Sequence, residues 1–153
     1  MKWVTRKNAL IDRIACSWLI KRFIDPEAEL LFVAGDQVLA VAEREGATAY
    51  HAKGAPLGGT DKETSFDQLT AHHRLNDPAM RLMTRIIHDA DHFTPPAVEP
   101  EAAGIRGLAL GFGRTFADDD QGKIAAALPA YDAMYAWCQL QAQQGRTPVN
   151  EGS

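Results

Sequence analysis

Over the first fifty residues the apolar positions alternate between short strand-like runs and the three-to-four spacing of helices. Trp3 and Val4 lie in a β-favouring run, residues 2–5. Asn8 then offers a helix N-cap ahead of Ile11, Ile14, Ala15, Trp18, Leu19 and Phe23, which recur on one helical face. Asp25-Pro26 stops this helix, because the residue before proline is driven out of αR geometry. Residues 28–33 read as a buried strand. Gly35-Asp36 opens a second helix carrying Val38, Leu39 and Ala42, and Gly46 closes it as a C-cap. Residues 47–51 complete a third strand.

The β-α-β-α-β order predicts an α+β fold (or a small α/β one) whose small mixed or parallel sheet is joined by right-handed crossovers. Residues 52–64 lack apolar periodicity and are rich in Gly and Thr, which predicts a long loop with the character of a lid. About four helices then form a second layer. Ser65 caps the first, through residue 74; Asp77-Pro78 starts the next, burying Leu82, Met83, Ile86, Ile87 and Ala90 until Thr94-Pro95-Pro96 ends it. Residues 99–116 form the third, weakened by Gly104, Gly107, Gly111 and Gly113 unless these permit close packing. Asp118-Asp119-Asp120 is the acidic start of a last helix with Ile124, Leu128, Tyr131, Tyr135 and Cys138 on one side and Pro129 as a candidate kink. One domain over residues 1–145 and a flexible tail, residues 146–153, is the resulting division.

Composition changes this picture little: 153 residues, 46% hydrophobic and 24% charged, suit a single core. No run approaches the length of a membrane span, and the start lacks a secretory stretch, so a cytoplasmic, non-membrane protein is expected. Cys16 and Cys138 are expected to stay reduced. The net charge of −4 disfavours a nucleic-acid binder. It is unevenly spread, however, since residues 1–23 hold six basic groups against Asp12 alone.

That basic segment supplies the first candidate chemistry. Arg6 and Lys7 precede the first helix, whose N-terminal N–H groups and dipole favour an oxyanion, and Arg13 lies in its first turns. The same residues would also serve as the solvated face of a strand and helix. Asp12 and Cys16 share a face four residues apart, which makes Cys16 either a redox thiol or a small buried hydrophobe. His88, Asp91 and His92 share a face of a later helix; with His51 at a strand end and Asp12 they make a candidate site for Fe, Mn or Zn. A plain solvent-facing helix would show the same polar stripe. His72-His73 reads as surface. Walker, GxGxxG, GxSxG and HExxH motifs are absent.

Trp3-Val-Thr-Arg6, the run IDRIACSWLI from Ile11 to Ile20, and Arg22-Phe23-Ile24-Asp25 resemble the signature of the bacterial chromate-resistance (ChrB-like) domain. Thr64-Ser65-Phe66-Asp67, Asp77-Pro78-Ala79, Ile86-Ile87-His88-Asp89-Ala90-Asp91 and Tyr131-Asp132-Ala133-Met134-Tyr135 extend the resemblance over nearly the whole chain. It departs from the pattern at Ser17, where the family commonly has proline, and at Thr64-Ser65, where a family cysteine is missing. The loop after His51 is also longer.

The resemblance implies a stress-response role, as a chromate-resistance accessory or chromate-responsive sensor domain. Chromate or a similar oxyanion would be the partner, held by Arg6, Arg13 and Arg22. The alternative is a metal-dependent hydrolase or redox enzyme using the His/Asp site; whether the chain is an enzyme stays open at this point. Regulatory family members carry a further N-terminal region that does not appear in this sequence, so no nucleic-acid partner is expected for this chain alone. Self-association through the apolar last helix, Tyr131 to Cys138, is the remaining candidate interaction.

Overall fold

The computed structural model describes residues 1–93 and 98–149. Strand β1 (Lys2–Arg6) lies at the centre of a three-stranded parallel sheet of order β2-β1-β3, with β2 at Glu29–Val33 and β3 at Thr48–Ala49. In register, Trp3 faces Leu30 on one side and Thr48 on the other. Side-chain alternation along β1 and β2 divides the core. Val4, Leu31 and Val33 pack against helix α2 (Val38–Glu45) through Val38 and Val41. Trp3, Leu30 and Phe32 face the main core on the other side.

Helix α1 (Ile11–Leu19) is the hub of that core, and all nine of its residues are buried. An amphipathic helix with a wet basic face was expected; instead Asp12, Arg13 and Ser17 are enclosed by helices α3 (Ser65–His72), α4 (Pro78–Asp91), α5 (Ala102–Thr115) and α6 (Asp120–Gln143). Ser17 is fully engaged there: its Oγ donates to the Arg13 carbonyl at 2.7 Å and lies 2.9 Å from the Tyr50 hydroxyl. Past Leu19 the helix widens into a π-helical turn, Ile20–Ile24, and ends before Asp25-Pro26 as expected. Trp18 anchors an aromatic group with Phe23, Phe66, Tyr131 and Tyr135, and its Nε1 donates to Asp132 at 2.8 Å.

Local expectations fail where tertiary partners compete. Asn8 is not the N-cap of α1; Leu10 is, without a side-chain cap, while Asn8 turns at φ 61° and its N–H is taken by Asp120. β3 is two residues long, so His51 lies beyond it in a left-handed turn at φ 44°. Thr64, not Ser65, caps α3. Of the α5 glycines only Gly113 meets a close neighbour, Leu10, at 2.5 Å from an added β-carbon; Gly104, Gly107 and Gly111 have open space. The terminator expected at Thr94-Pro95-Pro96 lies outside the described residues; α4 ends at Asp91.

Arg146 and Val149, at the start of the segment expected to be a flexible tail, are bonded to the helical layer. Arg146 forks onto Glu101 at 2.6 and 2.8 Å and reaches Glu99 at 2.8 Å, while fully buried Glu99 accepts the Val149 N–H. The bond to Arg146 holds the Glu101 carboxyl down at about 2. A depressed carboxyl stabilises the fold above its unfolded value, here 4.5, and that contribution is lost as pH falls toward about 2. Glu101→Gln is therefore expected to be less stable than the parent at neutral pH, with the gap narrowing below about pH 4.5 in urea titrations and closing only below about pH 2, where both chains carry a neutral group.

Candidate functional site

The centre of the fold is the N-terminus of α3. Thr64 and Asp67 form a reciprocal capping box, Thr64 Oγ1 accepting from Asp67 N at 2.9 Å and Asp67 Oδ2 from Thr64 N at 2.8 Å. The next free donors, Ser65 N and Phe66 N, point instead at the buried carboxylate of Asp12, 2.8 and 3.2 Å away. Cys16 Sγ donates to Asp12 at 3.5 Å and His51 Nδ1 lies at 2.5 Å. A carboxylate offers about four lone-pair positions, and these four donors fill them.

Facing a carboxylate that only accepts, His51 presents Nδ1–H to Asp12, so that Nε2 is the acceptor nitrogen when the ring is neutral. This is the orientation a general base requires. His51 lines a cleft of about 510 Å³ together with Arg6, Asp91 and His92, beneath the loop after β3. Gly58 shapes that loop, for a β-carbon there would fall 2.1 Å from the Ala52 carbonyl. Burial, and then the Asp12 charge, raise the pKa of Asp91.

Of the expected metal set, His51 and Asp91 line one cleft and Asp12 meets His51, while His88 is bonded elsewhere. Asp12 and His51 meet, but with the carboxylate already saturated. His88 turns away to Asp67 at 2.7 Å, and His92 stacks edge-on to His88 at 4.6 Å and pairs with Asp91 at 3.5 Å. Among the described residues no group of three or more His, Cys, Asp or Glu is arranged to hold a metal ion.

Arg6, Lys7 and Arg13 do come together. They line a smaller pocket of about 350 Å³ with Asn8, Leu10, Ala34 and Gly35, and no carboxylate is among the lining residues. A β-carbon on Gly35 would sit 2.9 Å from Arg6 Cδ, so the glycine lets the Arg6 stem lie against the turn after β2. Arg13 is 6% exposed; its Nη2 donates to the Asn8 carbonyl, and its buried Nε has no hydrogen-bond partner among the described residues. Burial first, then the Arg6 cation, lowers the Arg13 pKa. Asp12, Asp120 and Asp91 act on Arg13 from outside the lining, and the pocket thus holds a buried cation with an unused donor beside an uncapped helix start.

Arg22 is not part of it. Its guanidinium forks onto Asp132 at 3.1 and 2.9 Å, from the π-helical turn beyond the end of α1. Cys16 is fully buried, and burial, followed by the charge and hydrogen bond of Asp12, pushes its thiol well up, away from the reactive thiolate. Asp67, Asp120 and Lys123 are site-shaping residues that periodicity did not mark. The Thr64-x-x-Asp67 spacing was a readable signal for the first; the other two are bound to residues more than a hundred positions away and left none.

Comparison with known proteins places these residues in context. A family model described as ChrB, C-terminal domain, matches residues 3–138. Protein ChrB of Cupriavidus metallidurans is 30% identical over 120 residues, covering 78% of this chain and 35% of the relative. The chain therefore spans about a third of the length of that relative. No solved structure matches it. Among the described residues no helix is long and apolar enough to cross a membrane.

Proposed function

Because the chain belongs to the ChrB C-terminal domain family, we propose that it serves chromate resistance as an accessory or sensor domain that binds chromate or a like tetrahedral oxyanion between Arg6, Lys7 and Arg13. The observation that carries this reading is the Arg13 guanidinium, buried beside a second arginine with its Nε unpartnered and no carboxylate in the pocket wall. A dianion would neutralise both cations and accept from the guanidinium forks. The alternative, a His/Asp enzyme, has one element in its favour, the oriented His51 base. The binding reading draws on two independent ones, the cation pair and the uncapped helix start, and is the one adopted.

Isothermal titration with chromate, sulfate and phosphate tests it. Binding is expected with at least one of these dianions, and exposed Arg6→Ala should weaken it about tenfold or more, the loss of one charge-assisted contact. Arg13→Ala should weaken it further. The absence of heat with all three anions would overturn the reading.

A further inference from the structure

A second, larger cavity lies elsewhere among the described residues. It measures about 600 Å³, between α3, α4 and the tethered C-terminal segment, and Arg74, Arg81 and Arg85 line it. Asp67 is the one carboxylate among its lining residues, and it is already engaged by Thr64 N and His88. Leu75, Pro148 and Val149 supply apolar wall. Three features set this cavity apart from a solvated basic face.

Its size comes first. About 600 Å³ lies within the range of pockets that enclose small organic ligands and far exceeds the need of an inorganic oxyanion, given about 30 Å³ for a water in the liquid. The second is unmet donor capacity. Arg85 Nη2 sits 3.4 Å from Asp89, but its buried Nε has no hydrogen-bond partner among the described residues. The third is backbone conformation. Arg74 follows the C-cap of α3 at φ 55°, where its N–H bonds Ala71 O and the Leu75 N–H bonds Thr70 O. Glycine is the favoured residue in such a left-handed closure, so an arginine there accepts strain to place a guanidinium at the cavity.

We propose that this cavity binds a small organic anion, a carboxylate or phosphate monoester on an apolar body, its acid group held by Arg74 and Arg85 and its body against Leu75 and Val149. Arginine forks match both acid groups bidentately, and the apolar wall favours a ligand with more than an acid to offer. This site is independent of the oxyanion pocket at Arg6 and Arg13.

Titration of the full chain with phenyl phosphate, benzoate, inorganic phosphate and phenol tests the proposal. Phenyl phosphate or benzoate is expected to bind at least about tenfold more tightly than inorganic phosphate or phenol, since each of those lacks one half of the recognition. Arg74→Gly separates binding from folding. It removes the guanidinium and relieves the strain, so its urea midpoint should equal or exceed the parent's while aryl-anion affinity falls about tenfold. Arg6→Ala should leave aryl-anion binding in place. No binding by either aryl anion would overturn the proposal. So would equal binding of inorganic phosphate, unchanged affinity in Arg74→Gly, or loss in Arg6→Ala instead.

Discussion

Replacing Asp12 by alanine is expected to lower stability by about 3–5 kcal/mol, the scale for removing one partner of a buried charged network. The carboxylate is 2% exposed and joins three segments: Cys16 on its own helix, His51 after β3, and the Ser65 and Phe66 N–H groups that open α3. Alanine would strand two buried N–H groups, each costing about 1–3 kcal/mol, and leave His51 without its orienting partner. Asp12→Asn discriminates charge from shape. Oδ2 accepts from His51 and Ser65, and Oδ1 from Phe66 and Cys16, so either orientation of an amide turns its NH₂ toward a backbone donor. The asparagine variant should therefore also lose stability, by less than alanine. Urea unfolding of both variants measures this, and a loss under about 1 kcal/mol for Asp12→Ala would show that α3 holds its place without the carboxylate.

How much of this was legible beforehand depended on the range of the interaction. The parallel sheet, the helices that cover it and the buried stripe of α4 follow from local apolar spacing and from proline and glycine stops, and they stand as expected. Asp12, Arg13 and His51 were readable as chemistry because charged or basic groups sit beside a helix start or a strand end. Their partners were not, since Asp12 meets Ser65 across 53 positions and Trp18 meets Asp132 across 114. Periodicity also left α1 undecided. Its Arg13 could equally be read as part of a solvated face, because sequence spacing gives which residues share a side but not whether a second layer of helices covers that side. Arg22 illustrates the same limit: it matched the anion pattern by residue type, and a carboxylate on α6 had already taken it.

The second large effect is expected where that long range is greatest, at Lys123 and Asp120. Lys123 has no exposed surface, yet its ammonium donates to the Ala9 carbonyl at 2.9 Å and lies 3.2 Å from Asp120. Asp120 in turn accepts the N–H groups of Asn8 and Ala9, both at 2.8 Å. Burial alone would raise the Asp120 pKa; the Ala9 and Asn8 N–H bonds and Lys123 outweigh it, and the value is lowered. The two side chains thus clamp the turn between β1 and α1 onto the start of α6. Asp120→Ala orphans two N–H groups and leaves a buried ammonium without its counter-charge, and should cost about 3–5 kcal/mol. Lys123→Met keeps the carboxylate bonded to both N–H groups and should cost less. The double variant should differ from the sum of the two by about 1–3 kcal/mol, because each single change exposes the other group's penalty. Strict additivity in urea unfolding would dissolve the clamp into independent contacts. The same turn carries the Asn8 carbonyl that positions Arg13, so Asp120→Ala should also weaken oxyanion binding without removing any cation from the pocket. A variant that loses stability but binds with parental affinity would mean that the turn's geometry is fixed by β1 and α1 alone.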